Sequence, residues 1–445
     1  MKRLKFPMLF LSALALATPC RGAEHADYSQ GVFIVNEDWY GHQNSTVNYL
    51  LPDDPAGEFW RYRVLQAENP GCELGCTGEY GSIWNGRFYI IAKQDKDPGA
   101  EVSGGRITVA DASTMKVIKQ LALIDPSGAQ CDGRAFIGVD DVKGYISSSN
   151  GVWIFDLDRL EVTRQIAGTG NPSSSLYFGQ CGSMARSGNR IFVAHQSAGV
   201  LVIDPVDDEV VDTLTFESIS EKAAVGSVVV SKDGRVWASV AKDATGSGAT
   251  EPYIVEIDPQ TLEMTAHTLP QGVFAPSNSW YAWTPDGFCA SAVRNALYWN
   301  GGSDSWFSQQ KVFRYDIDAD SYEQIIDLKE QGEGWNVYGC SMRLHPVTDE
   351  IYMSLFVKFS STTYTLRRCD YMGHTLKEYP MIANYWFPSL PIFPQAQSSG
   401  LETISEDDAP PAYYDLQGRP LNPLALPSGL VIRRQGNTSA KLHIH

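Results

Sequence analysis

Positive charge is scarce in this chain of 445 residues, where 35 Lys and Arg stand against 52 Asp and Glu and the formal net charge is −17. The basic residues are scattered along the sequence and form no cluster. A nucleic-acid backbone or an anionic lipid surface would be repelled, because binding to either needs a concentrated patch of Lys and Arg. We therefore expect neither nucleic acid nor a membrane surface as a partner.

Long apolar stretches are missing after the first residues, so we expect no later segment to span a bilayer. At the start, Lys2, Arg3 and Lys5 precede an apolar run over 6–17 and then small residues, which is the pattern of an export signal. We assign residues 1–23 to this signal. Lipidation of Cys20 and simple cleavage near Gly22 or Ala23 both remain open, and either outcome places the mature chain in the periplasm, at the cell surface or outside the cell.

Cysteine is also sparse, with 8 in the chain. If Cys20 leaves with the signal, an odd number remains and at least one thiol is unpaired, which is unlike a small disulfide-rich domain. Cys72 and Cys76 form a C-x₃-C pair, but no second pair or histidine follows at zinc-ligand spacing. One disulfide involving Cys72, Cys76 or Cys131 stays open. We expect no metal site and no required cofactor.

Short strands are favoured over helices, because 39 Gly and 24 Pro divide the chain into short pieces in which aromatic residues reach 11%. One type of apolar run recurs seven times at intervals of roughly 45 to 65 residues. Its copies are VFIVNE from Val32, FYIIAK from Phe88, GYISSS from Gly144, IFVAHQ from Ile191, VWASVA from Val236, FCASAV from Phe288 and IYMSLF from Ile351.

Each repeat is expected to form four antiparallel strands. A second run that closes on an acidic turn and then a third run follow the first, and most repeats have a further strand before it that ends in a tight turn such as SGNR or KDGR. Seven such units predict an all-β, seven-bladed β-propeller over residues 24–395. The first unit lacks its leading strand, and FPSLPIFP over 387–394 is the candidate to complete it and close the ring.

A polar, acidic linker over 396–411 separates this propeller from a small C-terminal β module over 412–445, in which we expect three strands. The arrangement of YDLQGR, about ten further residues and then LPSGLVIRR resembles the C-terminal sorting domain of cargo for the type IX secretion system. That resemblance implies export.

The loops of such a blade fall into two sets. Antiparallel alternation places the loops between the second and third strands, together with the connections between blades, at one end of the ring. These loops are long and aromatic, whereas the other set is short and polar, and exposed aromatic rings suit recognition of a large ligand. The predicted ligand-binding residues are Trp39, Tyr40, His42, Tyr177, His195, Trp280, Tyr281, Arg294, Trp299, Trp306, Trp335, Tyr338 and Trp386.

Polar residues assigned to the same end could orient a ligand or could simply hold turns and neighbouring blades together. They are Asn36, Glu37, Gln43, Asn44, Asn278, Asn295 and Asn336, beside His195 and Arg294. We predict no catalytic residue, because His42 and His195 are accompanied by no serine elbow, HExxH motif or carboxylate pair.

The segment from Val32 to Pro394 resembles the YncE-like and surface-layer-type propellers. FIVNEDWYG, SWYAWTPDGFCAS, LYWN and HPVTDEIYMSLF are similar to exported gut-bacterial propellers that include the BtuG group. Proteins of that group capture corrinoids above an outer-membrane cobalamin transporter, so the resemblance implies a corrinoid ligand such as cobalamin and an outer-membrane transporter as partner. We expect a monomeric binding protein. The alternatives are a metal-dependent lyase of the virginiamycin-lyase type, using His42 and His195, and a protein–protein scaffold.

Overall fold

The protein is described by a computed structural model, which covers residues 27–170, 179–216, 224–241, 252–276, 280, 287–302, 308–395, 412–415, 419–421, 429–435 and 438–444. Its propeller has seven blades, each built on four antiparallel strands that we call A to D from the axis outward. This arrangement confirms the predicted fold class. The inner strands of neighbouring blades contact one another around the axis.

The first four blades follow the chain without interruption, apart from the inner strand of blade 1. Blade 1 contains β1 (Val32–Asn36), β2 (Thr46–Leu50) and β3 (Trp60–Arg61), and a short helix α1 (Val64–Glu68) follows it. Blade 2 contains β4 (Cys76–Trp84), β5 (Arg87–Gln94), β6 (Ile107–Asp111) and β7 (Val117–Leu121). Blade 3 contains β8 (Gly133–Gly138), β9 (Lys143–Ser148), β10 (Gly151–Asp156) and β11 (Glu161–Gln165). Blade 4 contains β12 (Cys181–Ser187), β13 (Arg190–His195), β14 (Gly199–Asp204) and β15 (Glu209–Leu214).

In the remaining three blades, one short strand from blade 6 pairs with blade 7. Blade 5 contains β16 (Ala224–Val230), β17 (Val236–Ala241), β18 (Tyr253–Ile257) and β19 (Met264–Thr268). Blade 6 contains β20 (Cys289–Ala290), β21 (Ala296–Gly301), β23 (Lys311–Asp316) and β24 (Ser321–Asp327). Blade 7 contains β25 (Asn336–Leu344), β26 (Ile351–Phe356), β27 (Tyr364–Cys369) and β28 (Thr375–Pro380). The short β22 (Ser308–Gln309) leaves the B–C loop of blade 6 and pairs with β25 of blade 7.

The ring closes where the two ends of the propeller segment meet. The strand β29 (Pro388–Ile392) pairs antiparallel with β1 and supplies the missing inner strand of blade 1. All five residues of β29 are buried, and the single hydroxyl proton of Ser389 is within reach of two carbonyl oxygens, that of Gly78 at 2.9 Å and that of Val35 at 3.1 Å. The predicted closure by the C-terminal segment is confirmed.

In blade 6, the strand assignment predicted from the sequence is wrong. FCASAV was expected to match the B strands of the other repeats, but β20 within it is strand A and β21 is strand B. The two runs are both short and apolar, so hydrophobicity did not distinguish them. The turn over 291–295 joins them, because the Ser291 hydroxyl accepts hydrogen bonds from the backbone N–H groups of Val293 and Arg294.

As a consequence, two candidate residues lie at the opposite end of the ring from the one predicted for them. We call the end that carries the B–C loops and the D–A connections the upper face, and the end that carries the A–B and C–D turns the lower face. Arg294 and Asn295 lie in an A–B turn and therefore on the lower face. There Arg294 forms an ion pair with Asp349 of the adjacent blade, and the Asn295 amide donates to Asp233 and Asp318.

The C-terminal module has one strand more than expected. It contains β30 (Ala412–Tyr414), β31 (Pro420–Leu421), β32 (Gly429–Gln435) and β33 (Thr438–Ile444) in the order β31-β30-β32-β33. In the described residues no helix is long and apolar enough to cross a membrane. Cys72, Cys76 and Cys131 form no disulfide, and six of the seven cysteines from Cys72 to Cys369 are buried.

We predict that a chain ending at Phe387 loses cooperative folding, because it leaves β1 without its inner neighbour and removes five buried residues. Losses of about 2–5 kcal/mol for each of the buried side chains of Leu390, Ile392 and Phe393 are together comparable with the roughly 5–15 kcal/mol that holds a typical domain together. Thermal unfolding followed by circular dichroism measures this effect. A chain ending at Gln395 retains β29 and serves as the control. Equal melting of the two shortened chains would contradict the closure.

Candidate functional site

The upper face carries exposed aromatic side chains on blades 7 and 1. Trp39 is 36% exposed and Tyr40 is 57% exposed in the B–C loop of blade 1. Phe359 in the B–C loop of blade 7 is 54% exposed, and Ile382 in the connection between the two blades is 56% exposed. The half-buried Tyr385 links these residues, since its ring centroid lies 4.1 Å from that of Trp39. We call Trp39, Tyr40, His42, Phe359, Ile382 and Tyr385 the aromatic patch.

Buried aromatic rings support this patch from below. Trp386 stacks on Tyr62 with 5.3 Å between ring centroids, and its indole N–H donates to the carbonyl oxygen of Ile382. Phe387 lies 5.0 Å from the ring of Phe359. The exposed rings therefore rest on a packed layer, which lowers the entropy lost when they contact a ligand.

Four predicted ligand-binding rings are buried, so the expectation that they are exposed is wrong for them. Trp280 and Trp299 pack between blades, where their indole N–H groups donate to the carbonyl oxygens of Val225 and Phe274. Tyr338 and Trp386 are at most 5% exposed. The physical reason is that Trp299 and Tyr338 lie within strands β21 and β25 and pack into the core, whereas Trp280 and Trp386 lie in connections between blades and fill the space there.

The other predicted residues are dispersed. Trp335 is partly buried against the core between blades 6 and 7. His195 lies at the end of β13 in blade 4, and its Nδ1 accepts hydrogen bonds from the backbone N–H groups of Ser197 and Ala198. Burial lowers the pKa of His195 to about 4, which keeps the ring neutral for this role. Tyr177, Asn278, Tyr281 and Trp306 lie outside the described residues.

The loop that presents Trp39 is tied to blade 2 by a buried carboxylate that the sequence did not reveal. Asp97 is fully buried and accepts hydrogen bonds from the backbone N–H groups of Gly41 and Gly99 at 2.8 and 2.7 Å. The Cys76 thiol donates to the same carboxylate, and burial raises the pKa of that thiol to about 12. The Asn44 amide completes the link, because it accepts from the Asp97 N–H and donates to the Val102 carbonyl oxygen.

Asp38 holds the same loop from the inside. Its carboxylate accepts hydrogen bonds from Gln43 at 2.5 Å and from Thr46 at 2.7 Å. Burial raises the pKa of Asp38 to about 8, although these hydrogen bonds and the nearby Arg63 oppose the rise. The polar side chains that were candidates for orienting a ligand include several that hold this loop: Asn36 donates to Thr46, and Gln43 and Asn44 make the contacts described.

Two carboxyl groups from different blades meet near the axis. Glu37 follows β1, Glu79 lies in β4, and each affects the protonation of the other. The Tyr338 hydroxyl donates to Glu37 at 3.1 Å, and the Lys93 ammonium lies 2.9 Å from Glu79. Burial raises the pKa of Glu37 well above its usual range, and the Glu79 carboxylate raises it further. The pair can therefore share a proton while joining blades 7, 1 and 2, and sequence inspection missed it because the residues are far apart in the chain.

A cavity of about 290 Å³ opens on the upper face beside the aromatic patch, between blades 1 and 2. The Trp39 loop, the start of α1 and the B–C loop of blade 2 form its walls. It is lined by His42, Gln43, Asn44, Thr46, Arg63, Glu73, Ala100, Glu101 and Val102. In the described part of the chain, no group of three or more His, Cys, Asp and Glu could hold a metal ion.

The strand order defines a seven-bladed β-propeller that carries the exposed aromatic patch on its upper face. Residues 30–394 match the family named Domain of unknown function (DUF5074), and the chain belongs to that family. No curated protein matches the sequence.

Several solved structures are similar to this chain at low identity. The extracellular domain described as that of the hybrid two component system BT3049 from B. thetaiotaomicron has 12% identity and a TM-score of 0.47, over 95% of this chain and 56% of that chain. The chain thus spans little more than half the length of that protein. The Neurospora crassa Pan2 WD40 domain has 14% identity and a TM-score of 0.45, over 72% and 80% of the two chains. Similarities at this level carry no argument about function.

We predict that Asp97→Ala lowers the free energy of unfolding by about 2–4 kcal/mol, because the Cys76 thiol and the backbone N–H groups of Gly41 and Gly99 lose their acceptor. Chemical denaturation measures the change. Asp207→Ala, at an exposed turn on the lower face, is the control and should shift stability by less than about 0.5 kcal/mol. A wild-type midpoint for Asp97→Ala would show that the carboxylate does not anchor the loop.

The protein should lose stability as the pH rises. A carboxyl group whose pKa is raised on folding stabilises the fold fully below its unfolded pKa, and this contribution is lost as the pH rises through the folded pKa. For Asp38 that interval runs from 3.8 to about 8. The pKa of Glu37 is also raised on folding, so Glu37 contributes to the same loss. Melting temperatures should therefore fall less with rising pH in Glu37→Gln than in the wild type, because the amide keeps the contacts of the side chain and does not ionise. Glu209→Gln, an exposed change, is the control, and parallel curves for all three proteins would contradict the carboxyl pair.

Proposed function

We propose that this chain is an exported ligand-binding propeller that takes a large ligand on the aromatic patch, with a corrinoid such as cobalamin as the first compound to test. The observation that carries the proposal is the aromatic patch itself. Large exposed rings on adjoining loops are unusual on a protein with a net charge of −17, and such patches commonly mark binding sites.

The chemistry of a corrinoid suits this surface. Its flat macrocycle offers a broad face to Trp39 and Tyr40, and its amide side arms can hydrogen-bond with polar groups such as Arg63 and Gln43 at the edge of the patch. The buried layer formed by Trp386 and Phe387 supports preorganised contact with such a face. The resemblance to corrinoid-capturing propellers supports the same ligand, and an outer-membrane transporter is the partner it implies.

We propose binding by a monomer without chemical conversion of the ligand. The titratable groups of the upper face described above make structural contacts: Asp38 and Asp97 hold the Trp39 loop, and His195 caps its own loop. These contacts support a recognition role for the face. His42 lies in blade 1 and His195 in blade 4, so they come from distant parts of the ring.

Export is part of the proposal and has a direct test. The N-terminal pattern of Lys2, Arg3 and Lys5 before an apolar run supports it. Mass spectrometry of the chain recovered from its natural host should show a mature N-terminus near Cys20 or Ala23, with a lipid on Cys20 if that residue is acylated. An intact Met1 in the cytoplasmic fraction would contradict export.

The ligand assignment is tested by titrating cyanocobalamin into the purified protein and measuring heat or tryptophan quenching. We expect Trp39→Ala combined with Tyr40→Ala to weaken binding at least about tenfold, because each buried aromatic ring contributes on the order of 1.5–3 kcal/mol. Val206→Ala, at an exposed turn on the lower face, is the control.

Absence of binding at micromolar cyanocobalamin would reject the corrinoid assignment. Binding that the double variant leaves unchanged would instead reject the aromatic patch as the site. The unfolding temperature of each variant, measured alongside, separates either result from a failure to fold.

A further inference from the structure

We propose that the cavity between blades 1 and 2 is a separate binding site for a neutral saccharide, either a single sugar or the end of a glycan. The site borders the aromatic patch through His42, whose ring centroid is 3.9 Å from that of Trp39. It shares His42, Gln43 and Arg63 with the edge of the patch, but Glu73 and Glu101 belong to the cavity alone, and binding of a sugar there does not require a corrinoid on the patch.

The charged side chains that line the cavity favour a ligand without net charge. Arg63 offers only hydrogen-bond donors, whereas Glu73 and Glu101 when ionised offer only acceptors. An anionic ligand would meet two carboxylates, and a cationic ligand would meet the guanidinium. Hydroxyl groups both donate and accept, so a neutral polyol can satisfy all three side chains at once.

Arg63 is placed to contact such a ligand. Its backbone has a φ of 53°, a left-handed conformation that is unusual for a residue other than glycine, and the Asn48 side chain accepts a hydrogen bond from its N–H. The guanidinium lies over the Trp386 ring at 5.7 Å and makes a long contact of 3.5 Å with Gln43. A guanidinium has five N–H donors, so this long contact leaves donor capacity for a ligand.

Glu73 faces the same cavity from a fixed position. The Gln66 amide donates to its carboxylate at 3.2 Å, and the Gln120 amide donates to its backbone carbonyl oxygen at 2.6 Å. A carboxylate held in this way can accept ligand hydroxyls with little loss of side-chain entropy.

The volume of the cavity and the Trp39 ring beside it are both suited to binding a sugar. A cavity of about 290 Å³ lies at the small end of ligand sites, which run from roughly 300 to 1,000 Å³, so it encloses a small molecule or the tip of a larger one. The exposed indole of Trp39 next to His42 offers a flat apolar surface, which matches the C–H face of a sugar ring.

Saturation-transfer NMR with the full chain tests the proposal. The probes are the methyl glycosides of glucose, galactose, mannose and N-acetylglucosamine at about 10 mM, a concentration that detects even millimolar affinity. We expect at least one glycoside to give a signal. Arg63→Gln and Glu73→Gln should each weaken its binding about tenfold, the loss typical of hydrogen bonds to charged groups. Arg159→Gln, the same change at an exposed turn on the lower face, should leave binding unchanged.

Three outcomes would overturn the site: no signal from any of the four glycosides, a signal that neither cavity variant reduces, or displacement of the glycoside by inorganic phosphate, which would indicate an anion site. The cyanocobalamin titration gives an independent result. Corrinoid binding without glycoside binding removes this inference alone, whereas glycoside binding without corrinoid binding removes only the corrinoid assignment.

Discussion

The pairing of β1 with β29 is the constraint on which the rest of the molecule depends. It joins residues from the two ends of the propeller segment into one sheet, so that blade 1 has the same four strands as its neighbours and the ring is closed. It also sets the connection over 381–387 against the B–C loop of blade 1, where the N–H groups of Glu37 and Asp38 donate to the carbonyl oxygens of Phe387 and Trp386. The aromatic patch is therefore assembled by the same contact that closes the ring.

Much of the fold could be predicted because it repeats. Seven copies of one apolar run gave the number of blades, and a leftover apolar segment near the C-terminus gave the closing strand. The error in blade 6 has a local cause: β20 and β21 are neighbouring apolar runs, and β20 contains only two residues, so composition did not show which lies nearer the axis. Arg294 was consequently assigned to the wrong end of the ring.

The site was less predictable, because an aromatic residue in a connecting loop can face solvent or fill the gap between blades. Trp39 and Tyr40 are exposed, whereas Trp280 and Trp299 are buried, although all four were assigned to the same kind of loop. The polar part of the site escaped detection for another reason. Asp97 and the Glu37–Glu79 pair act between blades, and such contacts between distant segments leave no local pattern in a single sequence.

Both ends of the propeller segment reach the lower face, where the Gln395 amide donates to the carbonyl oxygen of Ser29. The aromatic patch and the cavity beside it lie at the opposite end of the axis. A lipid or a fused domain attached beside residue 29 or residue 395 would thus lie at the lower face, on the far side of the propeller from the aromatic patch. A propeller immobilised in this way would keep the loops of its upper face unobstructed.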